Sequence, residues 1–431
     1  MWHWTGREAK LLRQALRLSI RDFAARLGVG ARTVNKWEAR QAGITPLPYM
    51  QQVLDTALAQ ASETVDDVTG DPVLAAPWNQ RGTVEAAVAL SGGGSPVKRR
   101  RFGLLTGATL TTPAHYWLIR DPEPLVSGLP PGRWSDQLSE MTTTLRTMDD
   151  TAGGGGVLAL AQQAFGCVAG LLNQVSYDER VGQRLHVILA ELGQLTGLAA
   201  HDAGRAGLGQ RYHIAALRAA HSAGDRLLGA HILACMADEA DLHGRPAEAV
   251  TLIETAEAGV RGRGSPRLLA ELSMRKAAAL ATLQDGSACT AALAQADRQV
   301  ERFAPDSDPH WLYWMTPAVT TAEAGYCLLR LGQPGRAMAL LDSGIALFDE
   351  SYTRARQICL TQLATALTQP GPQRDLEAAA DRGLVAVRLA ESVTSTRGID
   401  RLRNLYLQMQ PHALIPAVAD FLEQSREILA T

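Results

Sequence analysis

Cysteine is scarce in this 431-residue chain. Its five residues (Cys167, Cys235, Cys289, Cys327 and Cys359) are odd in number and scattered, with no C-x-x-C pair. Neither a disulfide framework nor a structural zinc site is indicated, and each cysteine is expected as a small apolar residue on a helix in a reducing cytoplasm. Aromatics make up only 5% of the residues, although 46% are hydrophobic. The apolar content is mostly Ala and Leu, a balance that favours helix. No stretch approaches the ~20 apolar residues that span a bilayer, so no membrane partner is expected. The segment Lys98-Arg99-Arg100-Arg101, followed by Leu104 and Leu105, looks like an export signal. It lies far from the start, and Thr106, Gly107 and Thr109 break its apolar run, so export is set aside.

Catalytic motifs are missing too. Gly153-Gly154-Gly155-Gly156 lacks the Lys-Ser/Thr of a phosphate loop, and there is no G-x-S-x-G elbow or H-E-x-x-H helix. Gly204, Gly207 and Gly209 do not follow a strand. No enzyme activity and no cofactor are expected.

What is present begins at residue 19. Phe23, Ala24 and Leu27 fall at helical spacing, and Gly28 stands where a helix closes on a left-handed residue. A second apolar stripe, Val34 and Trp37, follows the Val29-Gly30 turn. Two short helices joined by a glycine turn suit a small bundle that offers its second helix to a DNA major groove. A first helix is expected over 6–17 and a further one over 49–60, completing a bundle of four or five helices that ends near residue 65. Within residues 1–60 stand nine Lys/Arg against four Asp/Glu, although the whole chain carries a net −2. A basic head is what a phosphate-facing module needs.

The Val34/Trp37 stripe leaves Ala31, Arg32, Asn35 and Lys36 facing outward. Arg32 suits a bidentate contact to guanine and Asn35 a contact to adenine or a grip on a phosphate, while Ala31 offers only a methyl group to thymine. Ser19, Arg21, Thr33 and Arg40, at helix ends or flanks, suit phosphates. Trp37 belongs to the core, and Glu38 is expected to cap or pair internally.

Between residues 66 and 150 the periodicity weakens. Asp71-Pro72, Gly92-Gly93-Gly94 and several prolines over 122–131 punctuate it. It reads as a linker with one or two short helices, its basic cluster 98–101 a solvated turn or an auxiliary backbone contact to DNA. From 151 to 431 the chain reads as almost continuous helix with a weak repeat of about 40–48 residues: Gly204 precedes Ala216 by twelve residues, Gly244 precedes Ala256 likewise, and Gly332 precedes Gly344. Weaker units stand near Asp285-Gly286 and Gly371. Hairpins with small residues at the turn and deep in the second helix stack into a solenoid with a concave face. The fold class is therefore all-α. Concave-face positions include His201, Asp238, Asp241 and Tyr326, and Trp311, Tyr313 and Trp314 form the densest aromatic patch, expected in helix packing or at a ligand or subunit contact. His231 and Cys235 stand at i, i+4 with Glu239 one turn on, a conceivable metal edge; packing or surface roles are expected there, and no metal is assigned.

Residues 22–29 (Asp-Phe-Ala-Ala-Arg-Leu-Gly-Val) and 33–38 (Thr-Val-Asn-Lys-Trp-Glu) resemble the Xre/Cro family of phage-repressor-like DNA-binding domains. Gly30 and Ala31 depart from it, standing where relatives carry a Ser/Thr cap and a base-reading Gln. The segment 153–430 is similar to tetratricopeptide-repeat sensor domains, with Ala in place of most of their large aromatics. Together with Pro113-Ala114-His115 and Trp311-Leu312-Tyr313-Trp314, the chain resembles actinobacterial, Streptomyces-like Xre regulators with C-terminal tetratricopeptide repeats. The resemblance implies a cytoplasmic homodimer that reads an inverted repeat in double-stranded DNA, its repeats sensing a peptide or small-molecule signal. The alternative is an interaction scaffold with a vestigial head.

Overall fold

The structure, a computed structural model, describes residues 4–15, 18–40, 43–61, 71–91, 103–119, 134–174, 177–304, 308–350, 352–393 and 395–430. They form an all-α protein; no strand occurs among the described residues. The head consists of α1 (Gly6–Ala15), α2 (Ile20–Arg26), α3 (Ala31–Arg40) and α4 (Pro48–Ala61). Ser19 caps α2, its Oγ accepting from the Asp22 amide at 3.1 Å. Gly28, at φ 67°, ends that helix: its amide bonds the Ala25 carbonyl and the Val29 amide the Ala24 carbonyl, the paired closure that a left-handed residue permits. Arg13 grips both carboxylate oxygens of Glu38, at 2.5 and 3.1 Å, and so ties α1 to α3.

The segment expected as a linker is largely built into the fold. It carries α5 (Pro72–Ala75), α6 (Gln80–Leu90), α7 (Ala108–Ile119) and the start of the stack, α8 (Trp134–Ala152). Its weak periodicity has a physical reason: α7 is covered on both sides, by the head and by the stack, so no polar stripe marks it. The basic cluster 98–101 lies outside the described residues.

After α9 (Gly154–Gln174), helical hairpins follow one another: α10 (Glu179–Asp202) with α11 (Ala206–Ser222), α12 (Arg226–Leu242) with α13 (Pro246–Gly259), α14 (Pro266–Thr282) with α15 (Gly286–Val300), α16 (Pro317–Arg330) with α17 (Pro334–Leu347), α18 (Thr353–Thr368) with α19 (Leu376–Ala390), and α20 (Thr396–Met409) with α21 (Pro416–Ala430). From α10 to α20, each first helix packs on the next hairpin's first helix. Second helices α11, α13 and α15 begin at 206, 246 and 286, 40 residues apart. The turn before each takes a left-handed residue: Gly204, Gly244 and, in the third hairpin, Gln284 at φ 60°. Gln284 bridges to the next hairpin through its side-chain amide, which donates to the Arg330 carbonyl at 3.0 Å. Ala216 and Ala256 are fully buried, and a Cβ on Gly344 would press on Ala322, so the small positions do allow close approach within hairpins.

Helix α9 corrects one expectation. It is long and apolar enough to cross a membrane by length and composition. Its Ala and Gly residues conceal it as an apolar run, and its face of Val157, Ala161, Phe165, Val168 and Leu172 is buried against neighbouring helices. The first glycine of the helix serves packing: a Cβ on Gly154 would overlap Ala199 and Asp202 of α10.

The stack curves until its end meets its beginning. Asp202, with its side chain wholly buried, accepts from Arg354 of α18 at 2.8 Å and from Arg397 of α20 at 2.6 Å. Arg354 also reaches Asp149 of α8 at 3.0 Å. Burial alone would raise the Asp202 carboxyl, but Arg397 and Arg354 outweigh it and hold it below the ordinary value. This cluster closes the first helices round a cavity.

Helix α7 joins head to stack. Thr111 donates to Gln52 at 2.9 Å, His115 Nδ1 lies 3.3 Å from the Thr56 hydroxyl, and Leu118 packs against Gly28. Burial pushes His115 down to about 3, so its ring is neutral. On the other side Trp117, fully buried, occupies a slot between Gly229 of α12 and Gly259 of α13, where any Cβ would overlap its ring. Arg226 lies over that ring, 5.2 Å from its centre, and donates to the Trp117 carbonyl.

Two measurements test these joints. Gly229→Ala should destabilise the protein by roughly 1–3 kcal/mol through overpacking, and much less in a Trp117→Ala background, because the clash goes with the ring. Equal costs in both backgrounds, by denaturant unfolding, would remove Trp117 from the slot. The lowered Asp202 pKa contributes stability that is present above the unfolded carboxyl value and lost as pH falls through the folded one. Asp202→Asn should cost about 1–3 kcal/mol near neutral pH, because it removes the carboxylate that Arg354 and Arg397 share and leaves them only Asp149 and the more distant Asp238. It should also flatten the fall in melting temperature between about pH 5 and about pH 3. An unchanged acid slope would show that Asp202 does not carry it.

Candidate functional site

The head presents one face of α3. Val34 and Trp37 are buried, whereas Ala31, Arg32, Asn35, Lys36 and Arg40 are exposed and Thr33 is half-buried. The residues expected to meet DNA therefore lie along one exposed surface, with Arg21 and Ser19 exposed on the neighbouring α2 end. Ser19 carries a second duty: its hydroxyl donates to the Asp22 carboxylate at 2.5 Å while capping α2. Glu38 faces inward to Arg13, which neutralises the one acid of α3. A short helix held by a two-residue core and an ion pair can present a guanidinium, an amide and an ammonium to a groove without moving its backbone.

The cavity enclosed by the stack is the second site. Its volume is about 390 Å³, within the range of small-molecule sites. The lining comes mainly from first helices: Arg146 and Asp149 of α8, Leu195, Leu198 and His201 of α10, His231, Cys235 and Asp238 of α12, Glu271 and Arg275 of α14, Val319 and Glu323 of α16, Arg354 and Ile358 of α18, and Arg397 of α20. Trp314, Phe348 and Tyr352 add aromatic surface. The wall is an apolar surface crossed by paired charges: Asp238 meets Arg275 at 3.0 Å and Arg397 at 3.7 Å, and Arg146 meets Glu191 at 3.3 Å. Burial opposes ionisation of Asp238, yet Arg275, Arg397 and Arg401 hold its carboxyl below the ordinary value.

Of the expected ligand residues, His201, Asp238 and Trp314 share this wall. His201 is held neutral by burial, and its Nδ1 has no protein hydrogen-bond partner. Asp241 and Tyr326 lie together elsewhere, joined by Arg330, which pairs with the Asp241 carboxylate and stands 4.4 Å over the Tyr326 ring. Trp311 is buried behind the wall, stacked on His231 with ring centres 4.7 Å apart.

Around His231 the grouping differs from the sequence reading. Glu239 turns away to His213 Nδ1, 3.3 Å distant, and the third member beside His231 and Cys235 is Glu271. Both Glu271 oxygens reach His231 Nδ1, at 3.0 and 2.9 Å, and Cys235 Sγ stands 3.9 Å from Nε2. Glu271 carried one signal in the sequence: it stands one 40-residue repeat after His231, at the same level of the next first helix. Arg275 carried the same signal, standing one 40-residue step after Cys235, whereas Arg354 and Arg397 had no periodic mark and reach the site through the closure at Asp202.

A family model described as Helix-turn-helix matches residues 10–47, from within α1 through α2 and α3. No curated protein and no solved structure matches the chain.

Proposed function

We propose that this protein is a sequence-specific transcriptional regulator of the Xre type that binds DNA as a homodimer in the cytoplasm, and that its tetratricopeptide-like repeats sense a small molecule or peptide in the central cavity. The observation that carries the DNA reading is the exposed row Arg32, Asn35 and Lys36 on a helix whose opposite face is buried, in a segment matched by the helix-turn-helix model. One such head buries little surface, and two-fold pairing lets two heads read half-sites in successive major grooves.

The sensing reading rests on α12. Its Gly229 receives Trp117, the anchor of the joining helix, and its Cys235 and Asp238, six and nine residues further on, line the cavity. A ligand that displaces α12 therefore acts on the joint that holds the head. Switching the population from mostly one state to mostly the other requires a preference of about 5.5 kcal/mol, which several cavity side chains can supply together. The protein binds its signal rather than turning it over.

Footprinting with the full chain should protect an inverted repeat, with affinity falling steeply as salt rises. Arg32→Ala should cost roughly 1–3 kcal/mol at one base position and relax the preference there. A uniform loss over all sequences would remove Arg32 as a base reader. No mobility shift even at low salt would favour the interaction scaffold, for which Gly30 and Ala31 give room.

A further inference from the structure

We propose that Cys235, His231 and Glu271 form a reactive thiolate site on the cavity wall, which captures an electrophilic ligand, an activated alkene such as an α,β-unsaturated carbonyl with an apolar body, as a covalent adduct. This deepens the sensing reading, on which it rests for its biological use, but the chemistry stands on the three side chains alone.

Glu271 occupies Nδ1 of His231 through both oxygens, leaving Nε2 turned to the Cys235 sulfur. Trp311, stacked on the imidazole, fixes the ring plane, and its face favours the cationic ring. His213 and Arg275 add positive charge near the sulfur, against Glu239 and Glu271. Burial would raise the thiol, but His231 outweighs it and lowers the Cys235 pKa; the partner imidazole is raised correspondingly by Glu271 and Cys235. A thiolate paired with an imidazolium, itself oriented by a carboxylate, is an activated nucleophile.

A metal ion is the other use of these three groups, which lie within 4.8 Å of one another. The carboxylate and the sulfur sit on opposite ring nitrogens, however, so an ion on Nε2 and Sγ would have two protein ligands with Glu271 behind the ring. Zinc sites use three or four.

The addition balances without a co-reactant. A sulfur lone pair forms the C–S bond to the β-carbon, the π pair of the alkene moves to the α-carbon, and the proton on His231 Nε2 ends there. The imidazole is left neutral and the product is a thioether. Leu198, Val319 and Ile358 of the same wall take the apolar body.

The probe is N-ethylmaleimide, a neutral activated alkene, applied to the full-length protein at about pH 6 and followed by intact mass and peptide mapping. Cys167, which is exposed, is the internal reference. Cys235 should be labelled at least about tenfold faster than Cys167. Glu271→Gln and His231→Asn should each remove that advantage while Cys167 reacts as before. The buried Cys289 and Cys359 report folding: if His231→Asn exposes them to label, the Glu271→Gln comparison decides. A native Cys235 that stays unlabelled, or reacts at the rate of Cys167, overturns the proposal. So does stoichiometric zinc binding that Cys235→Ser abolishes, which would assign the cluster to a metal. Labelling of Cys235 with no change in DNA mobility shift would support the reactive site and sink its coupling to the head.

Discussion

Everything enclosed by the stack depends on one buried carboxylate. Asp202 ends the first helix of the first hairpin and receives arginines from the fifth and sixth, so the two ends of a curved array are held by charge rather than by apolar area. Such a contact is costly to assemble and costly to break. It also has a strict geometry, because a carboxylate offers few directions from which two guanidiniums can approach it. An apolar contact at the same place would tolerate sliding. The ionic one sets the curvature of the stack, and curvature sets the width of the cavity.

The second constraint is steric. Trp117 needs two glycines, one on each helix of a single hairpin, and it finds them at Gly229 and Gly259. The head thereby rests on the hairpin that also carries His231, Cys235 and Asp238. Opposite sides of α12 serve the joint to the head and the cavity wall. Interiors packed at this density pass on displacement rather than absorb it, and a helix pinned by an indole on one side and a charge network on the other has little room to adjust locally.

Much of the head was legible. The Phe23/Leu27 and Val34/Trp37 spacings, with Gly28 between them, specify two helices, their turn and their buried face by local rules alone. The repeats were legible wherever a turn needed a left-handed residue, and the third turn was harder to read because Gln284 occupies that position. The joining segment was not legible. Helix α7 has no polar face because both its sides are covered, and a pattern method reads lack of amphipathicity as lack of structure. The cavity was half legible: the concave-face reading located His201 and Asp238 and the aromatic patch supplied Trp314, but Asp241 and Tyr326 were claimed by Arg330, which shares α16 with Tyr326 and reaches across to Asp241. Arg354 and Arg397 belong to the site through long-range contacts that no local period encodes, whereas Glu271 was marked only by its 40-residue step from His231.

The 40-residue step that places Glu191, His231 and Glu271 at one level of successive hairpins bears on how such a chain can change length. A residue inserted in a turn leaves every helix facing as before. The same residue inserted within α12 or α14 rotates all later side chains by about 100°, and would carry the cavity groups beyond it off the wall. Drift in length is thus confined to the connections, while the paired helices stay locked in size, and the inner surface can exchange one side chain for another without the array losing count.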